Sequence, residues 1–256
     1  MNQDIHNFIQ YLHQEKQTSE NTEVSYERDL KKMILYLTAH GVDRIDAVTP
    51  EVLNSYVIEL EQSGLKPATV SRSVASMKAF FHYEELEQRT SADPAFELKA
   101  PKVEKKAPTI LTTEQTNRLL AQPKDNSAKG LRDKAMLELL YATGIRVSEC
   151  VGLDITDVDF RNNGIKVHRK GGAEVVVYFG DEVRTALLNY LEERNTIEAV
   201  EGSTNALFLS LQKKRIGVRA VENLVKKYSK LITTMKNITP HKLRSTYGTS
   251  LYRETG

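Results

Sequence analysis

The 256-residue chain has a single cysteine, Cys150, so it forms no internal disulfide and holds no cysteine-rich zinc site. It lacks any run of about 18 apolar residues, which excludes a membrane-spanning helix. Its first residues, MNQDIHNFIQYLHQEK, lack the basic start and apolar core of a secretion signal. A cytoplasmic protein is the simplest reading of these absences. His6, His13, His40 and His82 are scattered without a shared metal-ligand spacing, and neither metal nor cofactor is expected. No internal repeat or low-complexity tract appears. What is present is ordinary for a folded protein, 40% hydrophobic and 27% charged residues, enough for one large or two modest domains.

The net charge is only +2, but it is unevenly spread. Residues 1–107 hold 13 basic and 17 acidic side chains, whereas residues 210–256 hold 11 basic and 2 acidic. A basic block on a mixed chain suits a polyanionic partner, although a solvated charged face gives the same composition.

The first 90 residues read as helices only. Ile5, Phe8, Ile9 and Leu12 recur at helical spacing in 4–15, and a broad apolar face recurs in 22–39. Thr49-Pro50-Glu51 combines a cap, a proline at the first helical position and an acid at the positive end. That helix runs to Gly64, and Pro67 opens a fourth through about Tyr83. Residues 91–109 carry Pro94, Pro101 and Pro108, and predict a semi-extended, exposed linker. The second half is mixed. Helices are expected over 113–121, 129–142, from about Arg146, and over 181–195, 217–235 and 240–254. Short β runs at 158–160, 165–168 and 174–179 are separated by Asn-Asn-Gly and Lys-Gly-Gly turns, which predicts a three-stranded antiparallel meander. The expected organisation is a helical domain over 1–90, a linker over 91–109 and an α+β domain over 110–256. The class is mainly α with a small antiparallel sheet.

Four basic groups occupy special positions. Arg146 follows Gly144 at a junction between helices, and Lys170 sits in the turn before Gly171-Gly172. His241 and Arg244 share one face of a first helical turn opened by Pro240. Helix N-termini favour anions, and guanidiniums hold phosphate oxygens in pairs. Singly, each has a commonplace reading as a cap, a salt bridge or a turn residue. Together they suit a phosphate site. Cys150 reads as a small buried hydrophobe.

RDKAMLELLYATGIRVSECVGL (132–153), KGG (170–172) and HKLRSTYGTSL (241–251) resemble the tyrosine recombinases of the bacterial Xer and phage-integrase type. KPATVSRSVASMKAFFHY (66–83) is similar to the SAM-like core-binding domain of that family, so the resemblance covers essentially the whole chain. It implies site-specific DNA cleavage and rejoining through a 3′-phosphotyrosyl bond, without metal or cofactor. Arg146 and Arg244 match the arginines that stabilise charge on phosphorus, Lys170 the proposed general acid, and His241 the histidine that assists proton transfer. Glu149 matches an acid that supports Arg146. The implied partner is duplex DNA, bound in a tetrameric synapse, in some relatives with a paralogue; off DNA this chain is expected to be monomeric. Candidate DNA contacts are Lys66, Thr69, Arg72 and Ser73 on the fourth helix, and Lys213, Lys214, Arg215 and Arg219. The nucleophilic tyrosine of the family stands about 30 residues beyond the second arginine, outside these residues, and Tyr247 and Tyr252 are misplaced for the role. The chain is therefore expected to bind DNA without cleaving it. The competing reading is a DNA-binding protein that keeps the recombinase clamp and has lost the chemistry.

Overall fold

The computed structural model describes residues 1–104, 110–169, 172–232 and 238–255, with residues 253–255 described by backbone alone. The chain forms two compact units, Met1–Lys106 and Ala107–Gly256.

Four helices build the first unit: α1 Asn2–Gln14, α2 Glu20–Ala39, α3 Pro50–Gln62 and α4 Pro67–Leu86. In α1 the residues Ile5, Phe8 and Leu12, spaced by three and four, form its buried stripe. Ser19 caps α2 by accepting from the Thr22 N–H. Thr49 caps α3 through the Val52 N–H at 3.4 Å, with Pro50 at the first helical position. The chain leaves α3 through Gly64 at φ +75, a conformation that costs glycine little. Phe8 and Phe80 meet edge to face, 5.5 Å between centroids, at the centre of this core.

The segment after α4 departs from the expected exposed linker. Ala95 and Leu98 are 0% and 4% exposed and join the helical core. Asp93 Oδ1 accepts from the Ala95 N–H at 2.7 Å, and the Lys78 ammonium donates to the Phe96 carbonyl at 2.8 Å. Pro94 and Pro101 lie in non-helical backbone as expected, but two apolar side chains fold that stretch back, and residues 105–109, with Pro108, lie outside the described residues.

The second unit is organised around α6, Ala128–Thr143. Ala135, Met136, Leu137, Leu139 and Leu140 are almost fully buried, so this helix is apolar around most of its circumference and other helices must surround it. Around it lie α5 Thr113–Leu120, α7 Val147–Gly152, α8 Asp181–Arg194, α9 Val218–Lys230 and α10 Pro240–Thr255. Helix α5 opens on a reciprocal cap between Thr112 and Gln115. The strands β1 Val158–Asp159, β2 Gly164–His168 and β3 Glu174–Tyr178 form the antiparallel meander in order 1-2-3, with Val158 opposite Ile165 and Val167 opposite Val175. Strand β1 ends one residue before the expected Phe160. The helix expected over 217–235 is observed as Val218–Lys230, and its expected last residues, 233–235, lie outside the described residues.

Between α8 and α9 the chain is irregular but well anchored. Short bridges pair Asp154 with Ala206 and Leu209 with Arg215. Arg194, 4% exposed, donates to the Thr204 and Ala206 carbonyls. Arg132 donates to the Leu209 carbonyl at 2.8 Å. The buried Asp133 carboxylate collects Arg132, Lys129 and the Tyr228 hydroxyl. Each buried charge therefore has partners, as burial demands.

Candidate active site

Helix α6 ends at Gly144, whose backbone is left-handed (φ +59, ψ +21). The chain turns there and starts α7 with Arg146 as its N-cap. Glu149, three residues on, closes the turn: its Oε2 accepts the Arg146 N–H at 2.6 Å and its Oε1 accepts from Arg146 Nη1 at 2.8 Å. The Glu149 side chain is 6% exposed and that of Arg146 is 56% exposed. Burial pushes the Glu149 carboxyl up. The Arg146 N–H, the Arg146 guanidinium and the charge of Arg244 outweigh it, and the net shift is downward. Glu149 is thus a fixed anion beneath an accessible guanidinium.

Arg244 arrives from 100 residues away. Its Nη1 donates to the Gly144 carbonyl. Helix α10 presents it after a Thr239-Pro240 start, in which Thr239 Oγ1 accepts the Lys242 N–H at 3.3 Å. This is the same device as Thr49-Pro50. Thr246, one turn along α10, is buried and accepts the Leu111 N–H at 3.0 Å, which fixes the helix to the unit. Tyr247 packs its ring on Gly144: a Cβ built there would lie 2.3 Å from Tyr247 Cδ1. One glycine therefore accepts Arg244 on its carbonyl and Tyr247 on its α-carbon, and hands the chain to Arg146. His241 is exposed at the start of α10. The structure brings Arg146, Glu149 and Arg244 together, with His241 one turn before Arg244. Lys170, between β2 and β3 in the sequence, lies outside the described residues. Cys150 is fully buried, and burial raises its thiol to about 12, which fits a packing role.

Residues 5–88 match the phage integrase N-terminal SAM-like domain, and residues 109–256 match the phage integrase family. The chain belongs to the phage integrase family. The Caldanaerobacter subterraneus protein TTE1313, named as a tyrosine recombinase, is 37% identical over 94% of this chain and 81% of its own length. Tyrosine recombinase XerD of Staphylococcus epidermidis is 32% identical over 98% of this chain and 85% of its own. Among solved structures, the Tn1549 transposon integrase in complex with transposon right end DNA has the same fold (TM-score 0.77, 19% identity, 99% of this chain and 87% of that one). So has a lambda integrase dimer bound to a core site (TM-score 0.77, 13% identity, 100% and 91%). Members of this family cleave and rejoin DNA strands in site-specific recombination, and this chain is an enzyme of that class.

Within this integrase the expected DNA-contact residues divide sharply. Lys66 is exposed and Thr69 half-buried at the start of α4. Ser73 is only 5% exposed, and Ser76 fully buried, because these small residues face the helices packed on α4 rather than solvent. Arg72 is bound by Asp29 through two bonds of 2.8 and 2.9 Å. Arg215 is likewise committed: it donates to the Val151 and Leu153 carbonyls and to Asp154, tying the end of α7 to the strand-like segment below it. Ser73 and Arg215 are therefore structural in this fold, and only Lys213, Lys214 and Arg219 remain exposed in the second set. Sequence reading missed the anchoring arginines Arg132 and Arg194. Their partners are carbonyls of an irregular segment, which leave no periodic signal.

Proposed function

We propose that Arg146 and Arg244 hold the non-bridging oxygens of a scissile phosphodiester in duplex DNA, as the electrophilic side of a recombinase active site. The observation that carries the reading is the convergence of both arginines on the Gly144–Glu149 turn. Two fixed cations there stabilise the charge that builds on a five-coordinate phosphorus, without the reorganisation that water would need. Glu149 orients Arg146 and keeps part of its guanidinium turned outward. His241, beside the first N–H groups of α10, orients the phosphate or relays a proton. Lys170 donates a proton to the departing 5′-oxygen as the tyrosine oxygen bonds to phosphorus, and the reverse step rejoins a second strand.

The tyrosine itself is assigned to no residue described above. Tyr247 is pressed on Gly144, and Tyr252 stands eight residues past Arg244, about 12 Å along the helix axis. A cytoplasmic location and a tetrameric synapse on DNA belong to the same proposal. It is supported by the DNA-bound state of the Tn1549 and lambda integrase structures, and by the absence among described residues of a helix long and apolar enough to cross a membrane.

The test uses the 256-residue polypeptide, duplex DNA and a nicked suicide substrate. Salt-sensitive duplex binding without a covalent adduct is expected. No binding to duplex DNA would overturn the proposal, and a covalent adduct would place the nucleophile within these residues.

A further inference from the structure

The fold assembles three side chains that lie far from the recombination site in sequence and share no motif. His82 and Glu85 are one turn apart near the end of α4, with His82 Nδ1 3.9 Å from Glu85 Oε2. The chain then folds back, and Asp93 joins them. One ligand atom from each of the three lies within 4.8 Å of the others. Bonds of about 2.0–2.2 Å to one ion place its ligands about 3–4 Å apart, so small side-chain rotations close this set.

The surroundings favour a cation. Arg89, the nearest guanidinium along the chain, is bound to Glu84 at 2.8 Å, and the Lys78 ammonium is held by the Phe96 carbonyl. Asp93 Oδ1 is fixed by the Ala95 N–H, the kind of outer hydrogen bond that orients a ligating carboxylate.

We propose that His82, Glu85 and Asp93 form a site for a divalent transition metal of the zinc class. One imidazole and two carboxylates match the donor preference and balance the charge of such an ion, and water completes its shell. The ion would join α4 to the segment carrying Asp93, which folds back onto the helical core.

The experiment is calorimetric titration of zinc into the chelator-treated full chain, with thermal unfolding in parallel. We expect one equivalent of zinc and a higher melting temperature on loading. His82→Ala and Asp93→Asn should each weaken binding by about tenfold or more. His13→Ala should leave it unchanged, although His13 also neighbours a carboxylate, Glu23, at 3.4 Å. His82 is exposed, so its replacement leaves the core intact, and circular dichroism verifies this. Unchanged affinity in the His82 and Asp93 variants, or no uptake by the wild type, would overturn the proposal. None of these readouts involves DNA, so the result is independent of the recombinase assignment.

Discussion

Arg72 in the first unit and Arg146 in the second each pair with a carboxylate that is almost wholly buried, yet the two pairs are built differently. Asp29, 4% exposed, takes Arg72 through both of its oxygens, using Nε and Nη2. Glu149 spends one oxygen on the Arg146 backbone N–H and engages the guanidinium through Nη1 alone. The first arrangement occupies the Nε–Nη2 edge of the arginine, the edge that pairs best with a carboxylate or phosphate. The second aims it and leaves donors for a ligand. An arginine in a promising sequence context is therefore best placed to bind when its carboxylate partner leaves the two-donor edge unused.

The largest expected effect lies on the Arg146 side of the comparison. In a recombination-competent form of the protein, Arg146→Ala and Arg244→Ala should each slow strand cleavage by about 10²–10³-fold or more while duplex binding persists. Equal losses of cleavage and binding in a filter assay would reduce these residues to docking contacts. On the Arg72 side, Arg72→Ala should leave Asp29 buried and unpaired and destabilise the first unit by about 3 kcal/mol, read as a shifted denaturation midpoint. An unchanged midpoint with weakened DNA binding would show that the pair opens to meet DNA.

Gly144→Ala adds a Cβ at positive φ against the Tyr247 ring, and should cost about 1–3 kcal/mol. Combining it with Tyr247→Ala should recover part of that loss in a double-mutant cycle, whereas strict additivity would mean that backbone conformation alone is at fault. A smaller effect concerns pH. Glu149 is shifted below its ordinary value of 4.5, so its contribution is full above that value and is lost as pH falls through the lowered one. The stability gap between wild type and Glu149→Gln should close on acidification; a gap constant with pH would remove the charge from the account. Smallest of all, Lys66→Ala and Lys214→Ala should each reduce the salt slope of DNA binding by about one without changing the melting temperature.

The helices were legible because their signals are local: an apolar stripe in α1, Thr-Pro starts at Thr49 and Thr239, and glycine stops at Gly64 and Gly144. The meander was legible from its turns. The grouping of Arg146 with Arg244 was legible only through resemblance to a family, since nothing in the spacing of residues 144 and 244 announces a contact. What stayed hidden is long-range. Ala95 and Leu98 are two apolar residues in a proline-marked stretch, too few to read as core. Arg215 looked like one more cation in Lys213-Lys214-Arg215 until its bonds to residues 151–154 removed it from the surface set. Ser73 resembled a polar contact because small residues that let helices approach look the same in sequence as small residues that face solvent.

The bond from Arg244 to the Gly144 carbonyl also has a temporal meaning. It closes a loop of 100 residues, among the slowest kinds of contact for a chain to make. Arg146 and Glu149 can meet within a single turn as soon as α7 forms. The second cation arrives only when α10 has docked on α6. A half-folded chain thus carries one arginine of the pair without the other. Competence to break a DNA strand, in the chemistry proposed above, is withheld until the second unit is complete.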